Sequence, residues 1–470
     1  SESSERSAVG LGVTCCEGLW PTNEDFTTKS KIVRHQGSVE MGSGRPKTIL
    51  LLTQVYVPDP ASVGQHMADA AAELVRRGHR VIVFTSRRGF EDPRQIYPRR
   101  EILEGVEVCR LPLGSFGKRT IMLRVLGGLA FLLQGIVRAL LLPRIDALLI
   151  TTSPPMASLA GLVIAAVRRV PLVYWLMDLN PDQVVVSGRL PANSMLVRLL
   201  GWLNRRILKR AGRVVVLDRF MQQRVLRRAP VEGTTVVMPP WPLCSLHQVI
   251  EHASNPFRSA HELHGKFVVM YSGNLSPVHP LQTILEAALR LRDCERLVFV
   301  FIGSGLARRE IEDFVQRHEL RNVRLLPYQP LSELAYSLSA ADVHLVSMGN
   351  EMVGIVHPCK IYGAMACGRP ILLLGPKASH VGELLETHRV GWQVDHDDVD
   401  TAVQILQQAI ATSSTELAEM GQRGRQAVET GLSREILRAR FCDQVEAVMS
   451  GSPTVPATDG AGNSAQAAGS

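Results

Sequence analysis

The chain lacks the short motifs that mark many phosphate-handling enzymes. It contains no Gly-Lys-Ser or Gly-Lys-Thr, which disfavours the phosphate loop of nucleoside triphosphatases. The loop after Thr53 holds only Gly64, and Gly303-Ser304-Gly305 has no third glycine at the right distance. A nicotinamide dehydrogenase, which needs Gly-x-Gly-x-x-Gly directly after a first strand, is therefore disfavoured too. Cysteine is sparse, with eight in 470 residues and no two pairs at zinc-ligand spacing. Cys15 and Cys16 are adjacent in a polar segment, whereas Cys109, Cys294, Cys367 and Cys442 fall in apolar patterns. Reduced core thiols and a cytosolic environment are expected. Aromatic residues make up 5%, and no interleaved aromatic and basic platform supports nucleic-acid binding.

A chain of 470 residues exceeds what one hydrophobic core usually supports, so two domains of about 200 residues each are expected. Apolar residues at 46% are ample for packed cores, and the formal charge of +8 is unevenly placed. Residues 1–45 mix Ser, Glu, Thr and Gly without period and without an apolar run of signal-peptide length, the pattern of a mobile leader. The segment 450–470 is rich in Gly, Ser, Ala and Pro and reads as a disordered tail.

Between them, short continuous apolar runs alternate with amphipathic segments. Lys47 to Thr53, Arg80 to Thr85, Ala147 to Thr151, Leu172 to Met177 and Val214 to Leu217 have the composition of strands buried on both faces. Helical periods occupy Met67 to Arg77, capped by Gly78, and about Met156 to Arg169. The segment from Pro239 to Leu263 breaks this period, and Phe267 to Gly273 opens a second series that runs through Leu297 to Ile302, Val323 to Leu326, Val343 to Val346 and Ile371 to Leu374. The expected fold is α/β, with two Rossmann-like doubly wound domains facing a cleft. The boundaries are 46–240 for the first domain, 241–432 for the second, and a C-terminal helix at 433–449 packing back on the first. In open parallel sheets ligands sit beyond the carboxyl ends of the strands, which places the site in the cleft.

Polar loops follow several of these strands. Gly64 lies at the start of a helix, where it can let a ligand approach the backbone; Gly273-Asn274 and Gly303-Ser304-Gly305 also precede helices. His357-Pro358-Cys359-Lys360 opens the helix that ends at Cys367-Gly368-Arg369-Pro370. A helix N-terminus collects unpaired N–H donors, and with Lys360 beside it this is a candidate receptor for a diphosphate, or else a core helix whose lysine points to solvent. Asp178, after Leu172 to Met177, is placed to orient or deprotonate a hydroxyl or to cap the next turn. His66 could contact a sugar or be solvated or capping. Tyr328, in Pro327-Tyr328-Gln329-Pro330, could stack on a base or shape a turn. Asp395-His396-Asp397 precedes a helix that Asp400 is positioned to cap, and no metal is expected there.

Taken together, Pro58-Asp59 to His66, Arg77-Gly78-His79, Asp178-Leu179-Asn180-Pro181-Asp182, Tyr271 to Asn274, Phe301 to Gly305, Leu326 to Pro330 and the Pro-Cys-Lys stretch resemble the retaining glycosyltransferases of family 4, with GT-B architecture. The resemblance covers about Lys47 to Val448 and is strongest to the bacterial exopolysaccharide and colanic-acid-type branch. It implies a nucleotide-sugar on the second domain, an acceptor on the first, and no cofactor or metal. It also implies front-face attack, with the leaving phosphate helping to take the acceptor's proton. Alignment on Ala364 to Gly368 puts Ile355 and Gly363 where the wider family carries Glu-x7-Glu, and Asn274 and His279 where it tends to carry Arg and Lys. Lys360 is expected to supply the missing diphosphate charge, with His279, neutral or protonated, and the amides of Gly273 and Asn274 beside it.

Ile121 to Leu142 is strongly apolar, yet Arg124, Gln134 and Arg138 fall on one stripe of a helix, so it is not expected to span a membrane. No acidic residue occurs from Cys109 to Ile145, where Lys118, Arg119, Arg124, Arg138 and Arg144 lie. Arg198, Arg205, Arg206, Lys209, Arg210 and Arg213 form a second basic cluster. Docking on an anionic leaflet through about 118–142 and 198–213 is one reading, and packing of the helix on the sheet is the other. The leading function is a retaining, metal-independent hexosyl- or N-acetylhexosaminyltransferase acting on a lipid-linked saccharide, peripheral at the cytoplasmic face of the membrane, in cell-surface polysaccharide synthesis. The alternatives are a catalytically inactive nucleotide-sugar-binding partner and a nucleotide-sugar epimerase of the same architecture.

Overall fold

The continuous apolar runs assemble into two sheets. The computed structural model describes residues 46–59, 61–89, 94–114, 121–243 and 250–451. The first sheet holds β1 (Thr48–Leu52), β2 (Arg80–Ser86), β3 (Arg100–Leu103), β4 (Val106–Leu111), β5 (Ala147–Thr151), β6 (Leu172–Trp175), β7 (Arg213–Val216) and β8 (Thr235–Val237). Their order is β3-β4-β2-β1-β5-β6-β7-β8, parallel except where β3 meets β4. The second sheet holds β9 (Phe267–Ser272), β10 (Leu297–Ile302), β11 (Val323–Leu326), β12 (Val343–Ser347), β13 (Ile371–Leu374) and β14 (Gly391–Val394). Its order is β11-β10-β9-β12-β13-β14, parallel throughout. Helices cover both faces, so central strands such as β1, β5 and β10 are buried along their whole length.

The first domain's helices include α1 (Ser62–Arg76), α2 (Ile121–Leu141), α3 (Ala157–Arg168), α4 (Asp182–Val186), α5 (Met195–Arg210) and α6 (Arg219–Arg228). Helix α1 begins five residues before the apolar period does, because Gly64 and His66 belong to its first turns. The antiparallel edge β3–β4 was not expected. β3 is exposed or half-buried throughout, β4 is mostly buried, and neither carries a continuous apolar run. Arg110 anchors it from inside, donating to Glu101 at 2.6 Å and to the Val57 carbonyl at 2.7 Å.

Two crossings tie the domains together. The helix Arg434–Ser450 lies on the first domain, where Phe441 and Cys442 enter its core. Arg77 donates to Asp443 at 2.6 Å and to Glu446 at 2.8 Å. Met348, Met352, Ile355 and Val356 of the second domain also join the first domain's core. Residues 1–45, residues 452–470, Lys118 and Arg119 lie outside the described residues. Strand order reverses between β1 and β5 in one sheet and between β9 and β12 in the other. Crevices for ligands form at such switch points.

Candidate active site in the interdomain cleft

At the second switch point the chain leaves β9 at Ser272 and β12 at Ser347. Lys360, first residue of the helix Lys360–Ala366, reaches back to this place. Its Nζ lies 3.6 Å from the centroid of the Tyr271 ring, and a methyl group on Gly273 would sit 3.3 Å from it. The amine is buried and has no hydrogen-bond partner among the described residues. Burial pulls its pKa down to about 7. A desolvated cation held only by an aromatic face is energetically poor unless an anion completes the site.

His279 stands beside it. Its Nδ1–H donates to the Ser347 carbonyl at 2.7 Å, which leaves Nε2 as the lone-pair nitrogen. Burial and the Lys360 charge lower its pKa to about 3. His279 is thus a neutral acceptor in the free protein, which removes the protonated alternative as a source of diphosphate charge. From the first domain, Asp178 follows β6 and faces Cys359, whose thiol is pushed up to about 12 first by burial and then by the Asp178 charge. Burial raises the Asp178 carboxyl to about 6. It caps no helix: the N-cap of α4 is Pro181, and Asp178 is held through its backbone N–H, which donates to Thr152 Oγ1 at 3.2 Å.

Three of the expected contact glycines and His66 have packing roles of their own. A Cβ on Gly64 would lie 3.0 Å from the Tyr56 Cα, so this glycine lets α1 close on its own preceding loop. On Gly303 a Cβ would stand 2.0 Å from the Gly273 carbonyl oxygen, and on Gly305 it would stand 2.2 Å from that of Leu275. These two residues, at φ +145° and +147°, lock the loops after β9 and β10 together and support Gly273 from behind. Gly303→Ala is expected to destabilise the protein by roughly 2–4 kcal/mol in urea denaturation, since both strain and backbone overlap arise. Asn274 is exposed, and its carbonyl accepts from the Tyr271 hydroxyl at 2.7 Å. Tyr328 is 53% exposed and borders Gly303. His66 is sealed between Trp175 and Trp241, with Nε2 at 2.9 Å from the Trp241 carbonyl; it fastens the hinge and cannot reach a sugar. Asp398, rather than Asp400, caps the helix after β14 through Thr401 N–H, and Asp400 pairs with Arg290.

His357 is also occupied. Its Nδ1–H donates to Asp218 at 2.8 Å, its Nε2 accepts from the Tyr362 hydroxyl at 2.9 Å, and His380 Nε2 lies 2.8 Å from the same hydroxyl. Burial would raise the Asp218 carboxyl, but the hydrogen bond it accepts from His357 outweighs this and holds it below the usual range. The chain His380, Tyr362, His357, Asp218 crosses from the second domain to the first. Next to it Leu179 N–H donates to the Ile355 carbonyl at 2.8 Å, and Pro358 and Cys359 follow directly. These residues hold Cys359, and with it the start of the Lys360 helix, against the Asp178 loop. Sequence reasoning missed Asp218, Tyr362 and His380. The position of Asp218 between a buried strand and a helix signals an N-cap, which it is, but nothing local signals a partner 139 residues away.

Both domains have counterparts among known proteins. A glycosyl transferase 4-like domain matches residues 62–241, and the glycosyl transferases group 1 family matches residues 254–427. The chain belongs to these glycosyltransferases. The transferase is 26% identical over 277 residues to a Pseudomonas aeruginosa protein named as the glycosyltransferase WbjE, covering 58% of this chain and 67% of that one. It is 26% identical over 235 residues to the Escherichia coli K12 protein named for colanic acid biosynthesis, WcaI, covering 49% of this chain but only 56% of the relative. Among solved structures, Anabaena HepE in complex with UDP and glucose superposes with a TM-score of 0.65 at 18% identity, covering 85% of the transferase and 100% of HepE. At that identity the likeness concerns the GT-B fold.

Proposed function

We propose that the transferase moves a hexosyl or N-acetylhexosaminyl group from a nucleotide-sugar to a lipid-linked saccharide. Transfer proceeds with retention of configuration and without a metal ion, in cell-surface polysaccharide synthesis at the cytoplasmic membrane face. The observation that carries this reading is the buried, unpartnered Lys360 amine against Gly273, next to Cys359, which Asp178 of the first domain faces. A diphosphate there would raise the Lys360 pKa and accept hydrogen bonds from its ammonium group, and the negative charge growing on the leaving group would be met by a preorganised cation. Asp178 orients the acceptor hydroxyl and, with the leaving phosphate, takes its proton. His279, with Nε2 free of its own proton, suits a sugar hydroxyl as donor. Tyr328, exposed beside Gly303, is placed to stack on the nucleotide base. The names of WbjE and WcaI and the UDP and glucose bound by HepE support the donor class and the polysaccharide setting.

A panel of UDP-, GDP- and ADP-sugars in thermal-shift assays tests the donor assignment, and turnover with a lipid-linked acceptor tests transfer. A donor held at 100 times its Kd should stabilise the protein by roughly 2.7 kcal/mol. Failure of every nucleotide-sugar to shift the folded protein would remove the donor assignment. Binding without turnover would favour the non-catalytic partner, a reading kept by Ile355 and Gly363 standing where carboxylates are usual.

Membrane association rests on the first domain. No helix among the described residues is long and apolar enough to cross a membrane. Helix α2 instead exposes Leu126, Leu129, Leu133, Val137 and Leu141, spaced three or four residues apart on one stripe. In the second basic cluster Arg198, Arg205, Arg206 and Lys209 are exposed. Arg213 is buried, and Arg210 donates to the Ala165 carbonyl. Arg144 pairs with Asp146, so the basic face is narrower than the sequence implied. Leu133→Glu with Val137→Glu should lower partition onto phosphatidylglycerol vesicles by roughly tenfold or more in co-sedimentation. Unchanged partition would leave α2 as a sheet-covering helix only.

A further inference from the structure

Away from the donor site, beside the Asp178 loop, a groove of about 680 Å³ opens between α4, α5 and the end of α6. Arg198, Arg205, Arg227 and Arg228 line it together with Trp202 and Val186. One carboxylate, Asp182, faces these four guanidinium groups and pairs with Arg228. The remaining terminal nitrogen of Arg228, Nη1, is buried with no hydrogen-bond partner. Buried donors are seldom left unsatisfied, and guanidinium forks match phosphate oxygens in pairs. The other walls are apolar. Val185 and Val197 complete them, and Trp202 separates this groove from a second, of about 750 Å³, bounded by Leu162 and Ala166. Exposed Met195, Leu196 and Leu199 continue the apolar surface along α5.

The geometry points to a site for the lipid diphosphate of the acceptor: the arginines hold the diphosphate, and its hydrocarbon chain leaves over Trp202 and the exposed end of α5. This assignment rests on the transferase reading above and extends it to the acceptor's charged end. Charge complementarity selects the occupant, since four cations against one carboxylate suit a multiply charged phosphate better than a neutral glycan. Position selects it too. Asp182 lies four residues after Asp178, so their Cα atoms are at most about 14 Å apart. A diphosphate in the groove therefore leaves a short saccharide within reach of the Asp178 carboxylate. The loop between them is held by α5 itself, because Asn204 Nδ2 donates to the Asn180 carbonyl at 2.5 Å.

Isothermal titration with farnesyl diphosphate in neutral micelles tests the site directly, with UDP-, GDP- and ADP-sugar thermal shifts run on the same preparations. The wild type should bind farnesyl diphosphate, and Arg205→Ala/Arg227→Ala should weaken that binding at least tenfold while leaving the nucleotide-sugar shift intact. In turnover the double variant should raise KM for a lipid-diphosphate-linked acceptor, keep kcat, and leave KM for a neutral alkyl-linked acceptor unchanged. No binding of farnesyl diphosphate by the wild type, or equal binding by the double variant, overturns the assignment. So does equal binding of inorganic diphosphate, or one-for-one competition by phosphatidylglycerol, which would make the groove a general anion or bulk-lipid site. If nucleotide-sugars shift the protein but farnesyl diphosphate does not bind, the groove assignment fails and the donor reading stands. With the reverse pattern the donor reading fails and the groove remains a lipid-phosphate site.

Discussion

Replacing Lys360 with methionine is expected to abolish donor-induced thermal stabilisation and to lower kcat/KM by roughly 10²–10³, while making the unliganded protein more stable. The catalytic loss follows from removing a preorganised cation at the leaving group. The gain in stability follows from burial. The native protein holds this amine out of water with no anion to offset its charge, and an apolar side chain of similar length relieves that penalty, by about 1–4 kcal/mol where buried ions have been replaced. The pH dependence fixes the sign. The folded-state pKa is depressed to about 7, against about 10.4 in an unfolded chain. The wild type is therefore penalised fully below pH 7, and the penalty fades as pH rises from about 7 towards 10.4. The Tm advantage of the methionine variant should shrink over that window. Donor affinity of the wild type should move the opposite way, weakening above about pH 7 as the free amine loses its proton. A Lys360→Met protein that keeps the donor shift, or is less stable at neutral pH, would show that the amine serves the fold and not the donor.

Asp178→Asn is expected to reduce kcat by roughly 10²–10⁴ with the nucleotide-sugar thermal shift unchanged. The carboxyl sits at the end of β6, where burial raises its pKa to about 6, so the acid limb of kcat/KM should rise through about that pH and be absent from the residual activity of the variant. Stability has the opposite sign. A raised folded-state pKa contributes stability below the unfolded value near 4 and loses it as pH rises through about 6. Above pH 6 the asparagine protein should be at least as stable as the wild type. A variant with near-normal kcat would move proton transfer entirely to the leaving phosphate.

The fold was largely written in the apolar runs, because strands buried on both faces need no partner to be recognised. Ile371 to Leu374, bounded by Gly368-Arg369-Pro370 and Gly375, is such a case and became β13. The β3–β4 edge escaped because β3 is exposed or half-buried throughout, and Glu107 and Arg110 break the apolar run of the mostly buried β4. Helix α5 was met only as a basic cluster, although Leu200, Leu203, Ile207 and Leu208 carry its helical period and could have disclosed it. Within the site, the helix start at Lys360 was legible from the Pro-Cys before it, but whether its amine turned to solvent or inward onto Tyr271, as it does, was not. The glycines were not, since Gly273, Gly303 and Gly305 look alike in sequence and differ only in what lies opposite: an amine for the first, carbonyl oxygens for the other two. His357 read as a ligand contact because its true partner, Asp218, comes from the other domain.

The helix Arg434–Ser450 returns to the first domain, so the polypeptide passes between the two lobes twice. Trp241 from the first passage and Phe441 from the second both stack near Trp175, with ring centroids 5.6 and 4.2 Å away. A single tether would act as a ball joint and let one lobe twist freely over the other. Two strands of chain fastened to one aromatic block behave instead like a door on paired pins, with one axis of swing. On the proposed reading, an opening that admits a donor would carry the Lys360 helix away from the Asp178 loop along an arc, and closing would retrace that arc and return the two elements to the same registration.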